Sequence, residues 1–369
     1  MPFEWLEWLY QASTLPHMTL AQLVQHSFNA LTLGSLYGLI AIGYTMVYGI
    51  LRLINFAHGD MFMLGAYFVF FTTVAFMPAG VACFFLAVAI YVIHGVMRGF
   101  RRLPWPVLAG MTLFLGCGLY FSLWAPAAFQ LPWPLALAAA IAATSLCGIV
   151  VDRIAYRPLR DAPRISALIS AIGISFFIES LGVVIFTGLP RPVLQPDWLM
   201  TPMLFAGGSV RILPLSLVAP AITLALVLAL LFIINGTKPG LAMRAISRDI
   251  ETTRLMGVSV DKIIALTFAL GSALAAASGI MWALRYPQIH PYMGITPGLK
   301  AFIAAVFGGI GSIHGALIGG LLLGGMEILI IAVYPQLSGY RDAFAFLLLI
   351  TILLFKPTGL LGAKLEDKI

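Results

Sequence analysis

Apolar runs of about twenty residues recur along almost the whole chain, and they constrain it more than any single motif does. They stand at residues 31–50, 59–76, 81–97, 105–124, 134–151, 165–187, 212–234, 263–284, 299–310, 316–334 and 344–355. At about 1.5 Å of rise per residue, roughly 20 residues of helix cross a bilayer core of about 30 Å. In lipid every backbone N–H and C=O needs an internal partner, so such runs must be helices. Hydrophobic residues make up 61% of the chain and charged ones only 9%, against roughly 25% charged in soluble domains. No soluble fold has a core large enough to hide that much apolar surface. The expected fold is all-α, a polytopic helical membrane protein with about 9–11 membrane segments. The run at 299–310 is short enough to be re-entrant.

The placement of charge sets an orientation. Arg98, Arg101 and Arg102 share one short loop, and Arg153, Arg157, Arg160 and Arg164 share another. Residues 238–262 and a tail with Lys356, Lys364 and Lys368 complete the basic set. Loops rich in Lys and Arg stay cytoplasmic. Alternation then puts 126–133, 190–211 and 285–297 outside, with the amino terminus external and the carboxyl terminus cytoplasmic. The formal charge of +7 is spread over span ends and does not form the patch that nucleic-acid binding requires. Cys83, Cys117 and Cys147 all lie in apolar runs with no CxxC pair, which is the usage of small hydrophobes. Residues 1–28 form an amino-terminal extension. Glu4 and Glu7 stand where a signal peptide carries cations, and Trp5, Trp8 and Tyr10 suit an interfacial helix.

Few polar groups interrupt the membrane domain. Asn55, His58 and Asp60 fall where one span ends and the next begins. They suit either a site along a pathway or the satisfaction of loose helix ends at the cytoplasmic interface, with Asp60 placed well for a helix N-terminus. No Ser or Cys nucleophile accompanies them, which argues against catalysis. Glu179 and Glu327 sit deep in apolar runs. Each needs a partner in the bundle interior or a place on a substrate path, because burying a charge there costs at least about 2.5–3.5 kcal/mol. Gly311, Gly315 and Gly319 recur every fourth residue, continued by Gly320 and Gly324. Such spacing puts small residues on one helix face, where backbones approach closely. No GxxxxGK[ST], GxGxxG or HExxH is present, and the six His are scattered. Neither nucleotide binding, nor a metal, nor any other cofactor is expected, and energy for uphill transport must come from a partner or an ion gradient.

The polar exception is 240–262, GLAMRAISRDIETTRLMGVSVDK, read as a helix-like cytoplasmic segment. Arg244, Arg248, Asp249, Glu251, Arg254, Asp261 and Lys262 alternate there with Leu241, Ile246, Ile250, Leu255 and Met256, a mixture suited to docking on something soluble. Glu251-Thr252-Thr253, followed after three residues by Gly257, resembles the EAA-x3-G loop of ABC-importer membrane subunits.

The chain as a whole is similar to the permeases of branched-chain amino acid ABC importers, specifically the smaller, LivH-type subunit. The resemblance is carried by LGSLYGLIAIGYTMVYGILRLINFAHGDMFMLGAY, DRIAYRPLR, RISALISAIGIS, the 240–281 segment, GLKAFIAAVFGGIGSIHGALIGG, YRDAFAFLLLI and KPTGLLG, in the family's order. It implies a transport subunit that is not itself an enzyme. The implied partners are two cytoplasmic ATP-binding subunits, a second permease subunit and an external, periplasmic amino-acid-binding protein, all at a bacterial inner membrane. The substrates it implies are leucine, isoleucine and valine. It makes 29–357 the permease domain and 358–369 a cytoplasmic tail. Arg244, Arg248, Asp249, Glu251 and Gly257 become the ATPase-coupling residues. Asn55, His58, Glu179, Gly311, Gly315, Gly319 and Glu327 remain candidates for the pathway or for packing. Three features depart from the family pattern: an extra hydrophobic insertion at 78–132, His314 in place of Pro, and the charged Glu179 in place of an uncharged residue. A urea or amide permease of the same family, and a self-contained secondary transporter or channel with the two glutamates on an ion path, are the alternatives.

Overall fold

The computed structural model describes residues 19–73, 132–160, 162–205, 210–356 and 358–362. The expected spans at 81–97 and 105–124, nearly all of the 78–132 insertion, Arg98, Arg101 and Arg102, residues 1–18 of the extension and the tail beyond 362 lie outside these residues.

Among the described residues, seven helices are long and apolar enough to cross a membrane. The labelled helices are α1 Leu20–Leu51, α2 His58–Thr73, α3 Trp133–Val151, α4 Arg164–Phe186, α5 Leu215–Gly236, α6 Lys238–Arg248, α7 Ile250–Leu255, α8 Val260–Arg285, α9 Ile295–Gly308, α10 Ile313–Val333 and α11 Arg341–Phe355. Helix α3 continues through a π turn at Asp152–Tyr156 and a 3-10 turn at Arg157–Leu159. Two small antiparallel ribbons occupy loops: β1 Arg191–Pro192 with β4 Gln288–Ile289, and β2 Met203–Phe205 with β3 Val210–Ile212.

Small residues let the helices meet at backbone distance. Helix α1 packs most extensively on α10, and α8 on α3, α2 and α1. A methyl placed on Gly34 would lie 2.7 Å from the Cα of Leu321, and one on Gly320 or Gly324 would run into the backbone of Gly38 or Gly34. Gly315 and Gly319 turn instead toward α9, against Gly308 and Ala304. The glycine series therefore serves two faces of α10, and Gly34 and Gly38 supply the matching surface on α1. Gly311 departs from the expectation. It precedes α10 in a loop at φ +96°, so it shares no helix face with Gly315 and Gly319.

The bundle has two distinct ends. At one, β1 pairs with β4, joining the loops that follow α4 and α8, and Arg285 donates to Asn29 Oδ1 of α1 over 3.0 Å. The expected external loops 190–211 and 285–297 thus share an end. At the other, Arg157 and Arg160 bind Asp261 at 2.7 and 2.6 Å, and Arg160 also binds Asp152 at 2.5 Å. That cluster places the basic DRIAYRPLR stretch beside the start of α8, at the same end as α6 and α7.

Candidate functional site

The chain between α1 and α2 does not stay at the bundle surface. Residues 52–57 turn back inward, and His58 at the start of α2 sits against Tyr44, ring centroids 4.6 Å apart, in space left by Gly43 and Gly271. Gly43 lies eight residues before the end of α1, so His58 is about 12 Å in from that end. Asn55, His58 and Asp60 are all buried within the bundle and not at its interface, while Asp60 does stand in the first turn of α2, the helix N-terminus it suits. The Tyr156 hydroxyl of the π turn donates to Asn55 Oδ1 over 2.9 Å, which anchors the re-entering strand of chain.

Helix α9 enters from the opposite end. Its 14 residues span only about 21 Å, too short to cross. Its C-terminal residue Gly308 is packed against Gly315, and the following Gly309 against Gly362. Its N-terminus, capped by Gly294 without a side-chain hydrogen bond, abuts the start of α2. A methyl on Gly59 would stand 2.7 Å from the Gly294 carbonyl, and one on Gly298 3.1 Å from the Gly59 Cα. Only residues without a side chain allow two helix N-termini to meet this closely.

Beside that junction lies a cavity of about 200 Å³ lined by residues that include Tyr44, Phe56, Asp60, Ser175, Glu179, Gly294, Gly298 and Phe302. Ser175 donates its hydroxyl to Asp60 Oδ2 over 2.6 Å. Glu179, one turn further along α4, is 9% exposed. The structure thus brings Asp60 and Glu179, 119 positions apart in the chain, to one chamber. Tyr44 and Ser175 were not legible as site residues, since an isolated Tyr or Ser in an apolar run carries no signal of its own.

Glu327 belongs elsewhere. It accepts from Lys300 Nζ at 3.0 and 3.1 Å and from the Tyr37 hydroxyl at 3.0 Å. Lys300 also meets Asp342 at 2.7 Å, and Arg341 stands 3.7 Å from Glu327. The sequence reading overlooked Lys300, although a lone cation inside the 299–310 run is itself a signal.

The segment 240–262 is not one helix. Asp249 adopts an extended backbone, φ −153° and ψ 112°, and its side chain accepts from the amides of Glu251 and Thr252. It therefore ends α6 and caps α7. Arg244 donates to Asn235 at 3.3 Å, Arg248 and Glu251 are exposed, and Thr253 is buried. Leu255 and Met256 are 86% and 79% exposed, and Gly257 turns the chain at φ +81°. Beside α6 a second cavity, of about 760 Å³, is lined by residues including Arg52, Arg244, Ser247, Gly311 and His314.

Long apolar helices packed around a partly polar chamber define a multi-pass helical membrane protein. Comparison with known proteins makes the class specific. The family model described as branched-chain amino acid transport system / permease component matches residues 27–104 and 105–353, and the chain belongs to this family. It is 39% identical over 350 residues to the high-affinity branched-chain amino acid transport system permease protein LivH of Salmonella typhimurium, covering 94% of this chain and 97% of that one. Escherichia coli LivH is 39% identical over 355 residues, with 94% and 97% covered. The corresponding Pseudomonas aeruginosa protein, BraD, is 38% identical over 349 residues, with 94% and 98% covered. No solved structure matches the chain.

Proposed function

We propose that this chain is the translocation subunit of an ABC importer for leucine, isoleucine and valine in a bacterial inner membrane. The near full-length similarity to LivH and BraD carries the reading. Its partners are two cytoplasmic ATP-binding subunits, a second permease subunit and a periplasmic amino-acid-binding protein. The chain itself catalyses no reaction.

The exposed α6–α7 hairpin supports a docking role for Arg244, Arg248, Asp249, Glu251 and Gly257. It offers charge at Arg248 and Glu251 beside bare apolar side chains at Leu241, Leu255 and Met256, the composition of a protein contact surface. Thr237 caps α6 through the Gly240 amide at 3.3 Å, and the close turn at Gly240 joins α6 directly to α5. A push on the hairpin therefore passes into membrane helices as a rigid-body displacement. On this reading the end bearing the hairpin is cytoplasmic, with the amino terminus outside and the carboxyl terminus inside, and the basic clusters at that end support it.

Purification from native membranes in mild detergent tests the assembly. Two ATPase chains and a second permease are expected to co-purify and be identified by mass spectrometry. A chain recovered alone that transports in liposomes without ATP contradicts the proposal.

A further inference from the structure

We infer that the cavity beside the α2–α9 junction is an intramembrane station for an amino-acid zwitterion, with Asp60 and Glu179 facing its ammonium group. The inference rests on the proposed transport function and adds a binding site within the permease itself.

Charge is the first reason. Among the described residues, two carboxylates line the chamber and no Lys or Arg does. Asp60 is partly compensated, since it accepts from Ser175 and sits in the first turn of α2, where the helix dipole favours an anion. Glu179 is nine-tenths buried and has no hydrogen-bond or ion-pair partner among the described residues. Its carboxylate opens on the chamber, and a charge placed there is costly unless a cation arrives to meet it. This separates Glu179 from Glu327, whose partner Lys300 is already in place.

Architecture is the second. The N-terminus of α9 opens on the same chamber through Gly294 and Gly298, and no side chain among the described residues caps it. Interrupted membrane helices that present N-termini to a cavity favour anionic groups of a substrate. Glu179 on α4 and the helix ends that meet beside Asp60 line one chamber, so acidic and positive groups for the two poles of one amino acid are both present. Ile172, Phe176 and Phe302 add an apolar lining for a branched side chain. The volume of about 200 Å³ accommodates on the order of a dozen waters, the scale of a small amino acid.

Leucine binding to the complete assembly, reconstituted in nanodiscs without the binding protein, tests this site. Radiolabelled leucine is expected to bind. 3-Methylbutylamine, which keeps the ammonium, should compete better than 4-methylpentanoate, which lacks it. Glu179→Gln should weaken leucine binding at least about tenfold, as expected for loss of a charged hydrogen bond, and Glu179→Asp should restore part of it. The competition series uses only the wild-type chain, so it decides the matter even if a variant fails to assemble. Equal binding by wild type and Glu179→Gln, or equal competition by acid and amine, overturns the inference. ATP-driven leucine uptake without detectable binding in nanodiscs overturns the cavity assignment alone. Absence of both overturns the transport reading with it.

Discussion

Around the Lys300–Glu327 pair, side chains from four helices converge: Tyr37 of α1 donates to Glu327 of α10, and Glu327 and Asp342 of α11 meet the lysine of α9. Lys300 is 6% exposed and Glu327 4%, and each is the other's buried counter-charge, with Asp342 and Arg341 as more exposed outer partners. Removing one member of a buried pair costs roughly 3–5 kcal/mol, whereas neutralising both together costs much less. Lys300→Met is therefore expected to lower the thermal midpoint of the detergent-solubilised protein sharply, and Lys300→Met with Glu327→Gln to recover much of the loss. A single variant as stable as wild type contradicts the account. Glu179 and Glu327 look alike in the sequence, each a lone acid in an apolar run. Only the three-dimensional arrangement separates the paired one from the one facing a chamber, because the partners lie on helices distant in the chain.

At the level of elements, glycine decides which helices touch. Gly324 and Gly325 are neighbours in α10 with opposite surroundings: a methyl on Gly324 meets the backbone of Gly34, whereas one on Gly325 meets nothing within 4 Å. Gly324→Ala is expected to destabilise the α1–α10 contact by about 1–3 kcal/mol. Gly325→Ala should stay within about 0.5 kcal/mol of wild type. Thermal unfolding of the two variants side by side checks this, and equal effects contradict it. The four-residue spacing made Gly315, Gly319, Gly320 and Gly324 legible as packing residues, but not that they serve two partners, nor that Gly311 lies in the loop before the helix. The same limit applies to 240–262. Its polarity was readable, yet the break at Asp249 depends on a capping side chain in competition with helix continuation. The shortness of the 299–310 run marked α9 as a re-entrant candidate, but not where in the bundle it starts, since hydropathy reports burial and not depth.

Across the whole molecule, chain direction, charge and loop pairing agree. Basic segments gather at the end that carries the α6–α7 hairpin, while the opposite end is closed by the β1–β4 ribbon. Between them, two helix N-termini meet beside an acidic chamber. On this account, force from ATP-driven partners enters at one end and reorganises helices around a cargo held midway. The apolar runs were enough to read the helical membrane class and the two-ended layout. The chamber was not readable, because it is assembled from α1, α2, α4 and α9 and from glycines whose role is to be small.

Uptake of labelled leucine into proteoliposomes containing the full assembly, with the binding protein outside and ATP on the hairpin side, tests the central claim most directly. The account predicts ATP-dependent accumulation by the wild-type assembly. It also predicts that Glu251→Lys, expressed and assembled normally, hydrolyses ATP while losing most of that uptake. Accumulation without ATP, or full uptake by Glu251→Lys, would contradict it.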